Sequence, residues 1–159
     1  MEQLDMFLPT PNYNETIKIN NGEYIYIPNF YSKQTADTYL KRLISDIKWK
    51  QESMNMYGKQ IPFPRLTSWY GDNDKPYSFS GINLQPHPWR PGLSKIKSDI
   101  ESKAKVIFNS VLLNRYRDGN DSISWHTDAE KELGKNPVIA SVNFGAERKF
   151  QLKHMHTNE

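Results

Sequence analysis

The sequence predicts an α+β fold, with two N-terminal helices packed on one face of a small antiparallel β-sandwich. Three observations carry that expectation. Apolar residues fall at helical spacing in two stretches, both ahead of residue 106. Beyond 106 the chain turns to short alternating or apolar runs broken by turn residues. Most of the prolines lie between the two helical stretches. Helices first and strands afterwards, rather than in alternation, argue for segregated layers.

Element by element, residues 1–22 are polar and irregular, with Pro9, Pro11 and Asn20-Asn21-Gly22. They are expected to be an arm ahead of one domain over 23–159. Tyr24-Ile25-Tyr26-Ile27 reads as a strand ended by Pro28. Ser32 is placed to cap a helix, and Ala36, Leu40, Leu43, Ile44 and Ile47 form one apolar stripe, which predicts a helix over 33–47. Residues 48–92 mix prolines with aromatics and are expected to hold short strands and ordered loops. Leu93, Ile96, Ile100 and Ala104 predict a second helix over 93–105. Val106-Ile107-Phe108 and Val111-Leu112-Leu113 read as a strand or two, and Asp118-Gly119-Asn120-Asp121 as a turn. Ile123–Asp128 alternates like a strand. Residues 138–144 and 149–153 read as two more, separated by Gly145-Ala146-Glu147. There is no internal repeat or low-complexity segment.

Bulk composition narrows the class. At 159 residues the chain is long enough for one domain with a core, and nine Tyr, seven Phe and four Trp argue against a disordered polymer. The mean hydropathy is −0.79. No apolar run approaches a bilayer span, and Met1-Glu2-Gln3-Leu4-Asp5-Met6-Phe7 contains no basic segment leading into an apolar block. No membrane partner is expected. The lack of cysteine excludes disulfides, thiolate metal sites and a Cys nucleophile. It fits an intracellular protein, cytoplasmic or, in a eukaryote, nuclear. The net charge of +3 permits a polyanionic partner and requires none.

The chemistry concentrates in Asn114-Arg115-Tyr116-Arg117-Asp118-Gly119 and Ile123-Ser124-Trp125-His126-Thr127-Asp128-Ala129-Glu130. Side chains two apart on a strand point the same way, so His126 and Asp128 are able to converge on one ion. That is how the first two ligands of a two-His-one-carboxylate iron site are supplied. In isolation a His and an Asp two apart are as readily a surface ion pair. Asn114 and Tyr116 form a second such pair on the preceding predicted strand. If the two strands pair as a hairpin, one imidazole, one carboxylate, one amide and one phenol line a common site. That set suits a metal with a small anionic co-substrate.

These residues carry a resemblance. Asn-x-Tyr-x-x-Gly, His-x-Asp-x-Glu and Ile-Ala-Ser-Val-x-Phe-Gly-Ala-x-Arg-x-Phe occur in that order, after Tyr70-Gly71-Asp72, Tyr77-Ser78-Phe79-Ser80-Gly81 and Pro88-Trp89. From Pro64 to His154 the chain resembles the AlkB family of iron(II)- and 2-oxoglutarate-dependent dioxygenases, and most of all its DNA-repair members. The resemblance implies a jelly-roll (double-stranded β-helix) core. It also implies oxidative removal of alkyl groups from bases of the 1-methyladenine and 3-methylcytosine type. Carried over, His126 and Asp128 would ligate Fe(II), and Asn114 and Tyr116 would hydrogen-bond 2-oxoglutarate. Tyr77, Phe79 and Ser80 would line the base pocket, with Phe79 stacking, and Glu130 would read the base edge. For Tyr77 and Phe79, plain core packing is the alternative. The hairpin around Met54–Gln60 would insert Met56 or Tyr57 where a base has left the duplex, with Lys59 and Arg65 meeting phosphates. Arg148 and Phe150 match the family's Arg-x-Phe.

The resemblance breaks off near the end of the chain. The family's second His ligand and two later arginines have no counterpart; His154 and His156 fall at non-ligand positions, and no Arg follows Arg148. The expectation is therefore an incomplete, truncated domain that lacks its last strands, poorly stable and weak or inactive alone. The expected partner is alkylated DNA, with RNA as an alternative, and a monomer is expected. The competing readings are a same-fold dioxygenase acting on RNA or protein, and an inactive nucleic-acid-binding fragment.

Overall fold

The computed structural model describes residues 14–72, 77–79, 82–128 and 133–157. Two compact units are present: the described residues up to Thr38 with those from Phe144 onward, and Tyr39–Asn143.

In the first unit, β1 (Thr16–Ile19) and β2 (Gly22–Ile25) pair as an antiparallel hairpin with Thr16 opposite Ile25. Asn21 turns the chain at φ 59°, a conformation that asparagine tolerates better than most residues. Tyr31 stacks on Phe144 with ring centroids 5.9 Å apart. Helix α1 (Lys33–Asp46) begins here. Ser32 is its cap: the Thr35 N–H donates to Ser32 Oγ at 3.3 Å, and the Ala36 N–H to the Ser32 carbonyl at 2.9 Å.

The second unit holds the end of α1, where Trp49 Nε1 donates to the Leu43 carbonyl at 3.0 Å and satisfies one of the acceptors every helix end leaves open. Then come the hairpin β3 (Ser53–Met56) and β4 (Lys59–Pro62), strand β5 (Leu66–Gly71), the hairpin β6 (Tyr77–Phe79) and β7 (Ile82–Leu84), helix α2 (Pro91–Ala104) and strand β8 (Ser110–Arg115). Pro91 opens α2, where a missing N–H costs nothing. Lys105 closes it in the left-handed conformation, its N–H donating to the Glu101 carbonyl.

The pairing of β5 with β8 organises this unit. Tyr70 lies opposite Val111 and Ser68 opposite Leu113. Directly opposed residues share a face, and faces alternate with period two. The Tyr70 face carries the core cluster: Tyr70, Ile47 at the end of α1 and Leu93 at the start of α2 are buried together, with Leu43, Trp49, Trp89, Val111 and Leu113 packed against them. Thr67 and its partner Asn114 belong to the other face. Gly71 is required where the strands meet. A Cβ there would stand 2.9 Å from the Asn109 carbonyl oxygen and 2.9 Å from Ser110 Cβ.

Both helices form as expected, shifted by one or two residues. The α+β class holds, with helices on one face of an antiparallel sheet. The strands are where the structure departs. Thr16–Ile19, expected to be irregular, pairs as β1, and residues 106–108 are not a strand. The predicted strands at 123–128, 138–144 and 149–153 make no ladder among the described residues. Ile123, Trp125, Val138, Ile139, Phe150 and Leu152 are exposed rather than buried. Alternation assigns side chains to faces, but a strand exists only when a second backbone takes its hydrogen bonds. The described strands form two-stranded antiparallel sheets, so they do not close a jelly roll. The expected hairpin between the Asn114 strand and 123–128 is replaced by β8 pairing with β5.

Candidate functional site

The turn after β8 is set by Asp121, which is 5% exposed. Its carboxylate accepts the Arg117 main-chain N–H and two guanidinium N–H groups, each at 2.8 Å. This contact raises the Arg117 pKa further above its ordinary value, through the hydrogen bond to Asp121 first. The Asn120 N–H donates to Asp118 Oδ1 at 2.8 Å, so the predicted turn is present and is held by its own side chains. The chain leaving it is tied back to β5: the Ser122 N–H donates to the Pro64 carbonyl at 2.8 Å.

His126 and Asp128 follow in a stretch that pairs with no strand among the described residues. His126 Nε2 and Asp128 Oδ1 lie 3.5 Å apart, and both side chains are partly exposed. His126 Nδ1 is 2.9 Å from the Ser124 carbonyl. A carbonyl only accepts, so Nδ1 carries a proton, and Nε2 is the ring nitrogen turned toward the carboxylate, where a metal would take its lone pair. This is the arrangement by which a ligating imidazole is oriented through its other nitrogen. One imidazole lone pair and one carboxylate oxygen, converging and solvent-accessible, fit a divalent metal such as Fe(II). Among the described residues, no third His, Asp or Glu joins them.

Asn114 lies on the face of β8 opposite the core cluster, half-buried, and Tyr116 follows one residue beyond the strand. Asn114 Oδ1 accepts from Arg65 Nε at 2.9 Å, so the amide's N–H₂ is the part still able to donate outward. Arg65 also reaches the Ser122 carbonyl at 3.5 Å and stacks over Phe63, its Cζ 4.8 Å from the ring centroid. It is 5% exposed, and burial lowers its pKa, opposed by Tyr116. Arg65, expected to meet phosphate, is engaged by the protein itself in this structure. Its guanidinium is spent inside the protein, joining the amide of Asn114 to the chain that leads to His126. Sequence reasoning missed this linking role because the ladder that brings Arg65 beside Asn114 joins positions far apart in the chain.

Tyr57 and Gly58 form the tip between β3 and β4, with φ values of 51° and 76°. Tyr57 is 99% exposed. Met56 and Lys59 are paired across the turn, and Lys59 is exposed. Tyr77 and Phe79 form the ends of β6, opposite Leu84 and Ile82. Ser80 and Glu130 lie outside the described residues. In the first unit, His154 is engaged locally: its Nδ1 accepts from the Thr157 N–H at 3.2 Å, and Nε2 lies 3.2 Å from the Asn21 amide.

Comparison with known proteins bears on this arrangement. Residues 23–159 match the model of the 2OG-Fe(II) oxygenase superfamily. Over 127 residues the chain is 45% identical to mouse alpha-ketoglutarate-dependent dioxygenase alkB homolog 3, covering 79% of this chain and 44% of that protein. It is 38% identical to the human DNA oxidative demethylase ALKBH2 over 127 residues, 78% of this chain and 49% of that protein. The Arabidopsis thaliana DNA oxidative demethylase ALKBH2 is 33% identical over 151 residues, 91% of this chain and 48% of that protein. The chain thus spans about half the length of the curated relatives it matches. With Fe(II) and 2-oxoglutarate the family's two cofactors, the chain belongs to the 2OG-Fe(II) oxygenase superfamily, in its AlkB branch.

Proposed function

We propose that the protein acts in oxidative dealkylation of N-alkylated bases in DNA, of the 1-methyladenine and 3-methylcytosine type. The observation that carries the reading is the convergence of His126 Nε2 and Asp128 Oδ1 at 3.5 Å, with the imidazole oriented by the Ser124 carbonyl. The names of the relatives support it. His126 and Asp128 would hold Fe(II), and Asn114 and Tyr116 would hold 2-oxoglutarate. Bound together, these two cofactors would let dioxygen act as the oxidant, one oxygen atom going to the N-alkyl carbon as a hydroxyl and the other to 2-oxoglutarate, which leaves as succinate and carbon dioxide; the hydroxylated adduct then loses aldehyde.

The remaining work falls to the chain's own side chains. Arg65 occupies the Asn114 oxygen and so turns the amide's N–H₂ toward an anionic co-substrate. The Tyr116 phenol donates beside it. Tyr77, Phe79 and Ser80 would enclose the base, and Glu130 would face it. A base made cationic by N-methylation is favoured by a carboxylate and an aromatic face. Tyr57, held fully exposed at a hairpin tip, would fill the gap left by an extruded base, with Met56 beside it and Lys59 near phosphate. A closed jelly roll around this site belongs to the same proposal.

The test is metal binding. Mn(II), a spectroscopic stand-in for Fe(II), is titrated into the purified chain and the free ion is followed by electron paramagnetic resonance. The expected result is one site, abolished by His126→Ala and by Asp128→Ala and tightened by 2-oxoglutarate only while Asn114 is intact. Binding unaffected by both ligand substitutions overturns the reading. Aldehyde release from a methylated oligonucleotide then tests the substrate.

A further inference from the structure

β8 covers one edge of β5. The other edge is met by two short segments. Lys50 exchanges main-chain hydrogen bonds with Thr67 at 3.0 and 2.8 Å, and the Lys48 carbonyl accepts from Ser68 Oγ at 2.9 Å. Further along, the His87 N–H donates to the Trp69 carbonyl at 2.9 Å and the Gly71 N–H to the His87 carbonyl at 3.0 Å. These two segments place Lys48, Lys50 and His87 around one small hollow. A larger hollow, about 190 Å³, opens between the end of α1 and the start of α2 and is lined by Arg42 and Arg90. His87 links the two, because Lys48 and Arg90 both act on it: its pKa is lowered by burial first, then by those two charges. Arg42 and Arg90 thus border one hollow, and His87 and Lys48 the other.

Among the described residues, no ion pair involves Arg42, Arg90 or Lys48. Two acidic groups lie near. Glu52 pairs with Lys50 at 2.9 Å, so Lys50 is not counted, and Asp46 lines the larger hollow while accepting the Ser45 hydroxyl. Three cations drawn from α1, the segment beside β5 and the approach to α2, none in a close ion pair among the described residues, outnumber the one carboxylate, Asp46, that lines the larger hollow. A chain of regularly spaced negative charges suits such a distribution, because successive phosphates are able to meet cations supplied by separate elements. The two arginines add forked donors suited to phosphate oxygens.

We propose that Arg42, Arg90, Lys48 and His87 bind the phosphate backbone of a nucleic acid strand along the two segments that cover the second edge of β5. The proposal rests on the reading of the protein as one that acts on nucleic acid. It adds a strand path formed by residues that neither the metal pair nor the co-substrate pair employs. No base contact is needed, so an undamaged strand binds here as well.

The test uses the whole chain, a fluorescently labelled, unmodified single-stranded oligonucleotide, and no metal or 2-oxoglutarate. Anisotropy titrations are run over a range of salt concentrations. Each phosphate contact on a single strand contributes about 0.7 to the slope of log affinity against log salt. The double substitution Lys48→Glu with Arg90→Glu is expected to lower the slope by about 1.4 and the affinity on the order of tenfold. Lys48→Gln with Arg90→Gln, which places no new charge, is expected to move both in the same direction; circular dichroism of each variant matching the parent shows that the fold is kept. Unchanged slope and affinity in both variants overturn the proposal. So does loss of binding to phosphatidylserine vesicles while oligonucleotide binding persists, which would assign these cations to a lipid surface. Because the probe carries no alkyl group and no metal is present, failure here leaves the Mn(II) result at His126 and Asp128 standing, and the reverse also holds.

Discussion

Arg65 shows how one residue ties the candidate site together. Its Nε–H holds the Asn114 oxygen, its Nη1 reaches Ser122, and its plane lies over Phe63. Arg65→Ala removes all three and strands a half-buried acceptor, with an expected loss of about 2 kcal/mol of stability by denaturant melt. Arg65→Lys keeps the charge without the fork and is expected to cost about half as much, on the order of 1 kcal/mol. A phosphate-binding Arg65 would instead leave stability unchanged and weaken nucleic acid binding. His87 gives a second residue-scale expectation. Its folded pKa is lowered, so the folded protein binds fewer protons than the unfolded chain in the window just below 6.5. Its stability contribution is complete above that value and is lost as pH falls through the folded pKa. His87→Gln is expected to flatten this part of the stability profile between pH 7 and 5; an unaltered profile would remove His87 as its source. At this scale period-two spacing singles out His126 with Asp128 and Asn114 with Tyr116; the structure holds His126 and Asp128 3.5 Å apart without a strand ladder, and ends β8 between Asn114 and Tyr116. The engagement of Arg65 was not legible, because burial is set by what packs over a residue, and Phe63, Asn114 and Ser122 meet there only after folding.

Elements were legible in proportion to how local their causes are. Both helices follow from apolar spacing, a Ser32 cap and a Pro91 start, all contained within the segment itself. The strands depend on partners, and β5 draws its partner, β8, from beyond α2. Gly71 marks that pairing: Gly71→Ala forces a Cβ against the Asn109 backbone, and an expected loss of about 1–3 kcal/mol would show as a lower midpoint of unfolding. The β3–β4 hairpin makes a different point. A two-residue turn with both φ values positive suits Asn-Gly, yet this chain has Tyr57-Gly58. A bulky residue in that conformation is strained, and strain of this kind is kept where it serves a site. Tyr57→Asn is expected to stabilise the hairpin by up to about 1 kcal/mol. It should also weaken duplex binding more than single-strand binding, as seen in parallel titrations of the two. If both forms lose affinity equally, Tyr57 is not the wedge.

On the scale of the whole molecule, burial is uneven, and this makes a prediction about where stability resides. In the Tyr39–Asn143 unit, β5, β8 and both helices share the Ile47–Tyr70–Leu93 cluster, and Tyr70 is 1% exposed. In the other unit, every residue of β1 and β2 is exposed, and a lone two-stranded hairpin is marginal in water. Opening free energies track such differences in buried apolar contact. Amide hydrogen exchange should therefore find the slowest amides in β5, β8 and α2, and near-unprotected amides in β1 and β2. Ile123, Trp125, Val138 and Ile139 are exposed apolar side chains around the stretch that carries His126 and Asp128. Surface of this kind is what hydrophobic dyes report. The chain is expected to enhance anilinonaphthalene sulfonate fluorescence under native conditions, and Trp125→Ser with Ile139→Ser to reduce that enhancement while the β5 and β8 amides stay protected. Uniform protection across both units, with no dye binding, would mean that these side chains are covered in solution and that the stretch carrying His126 and Asp128 is as firmly packed as the β5–β8 sheet.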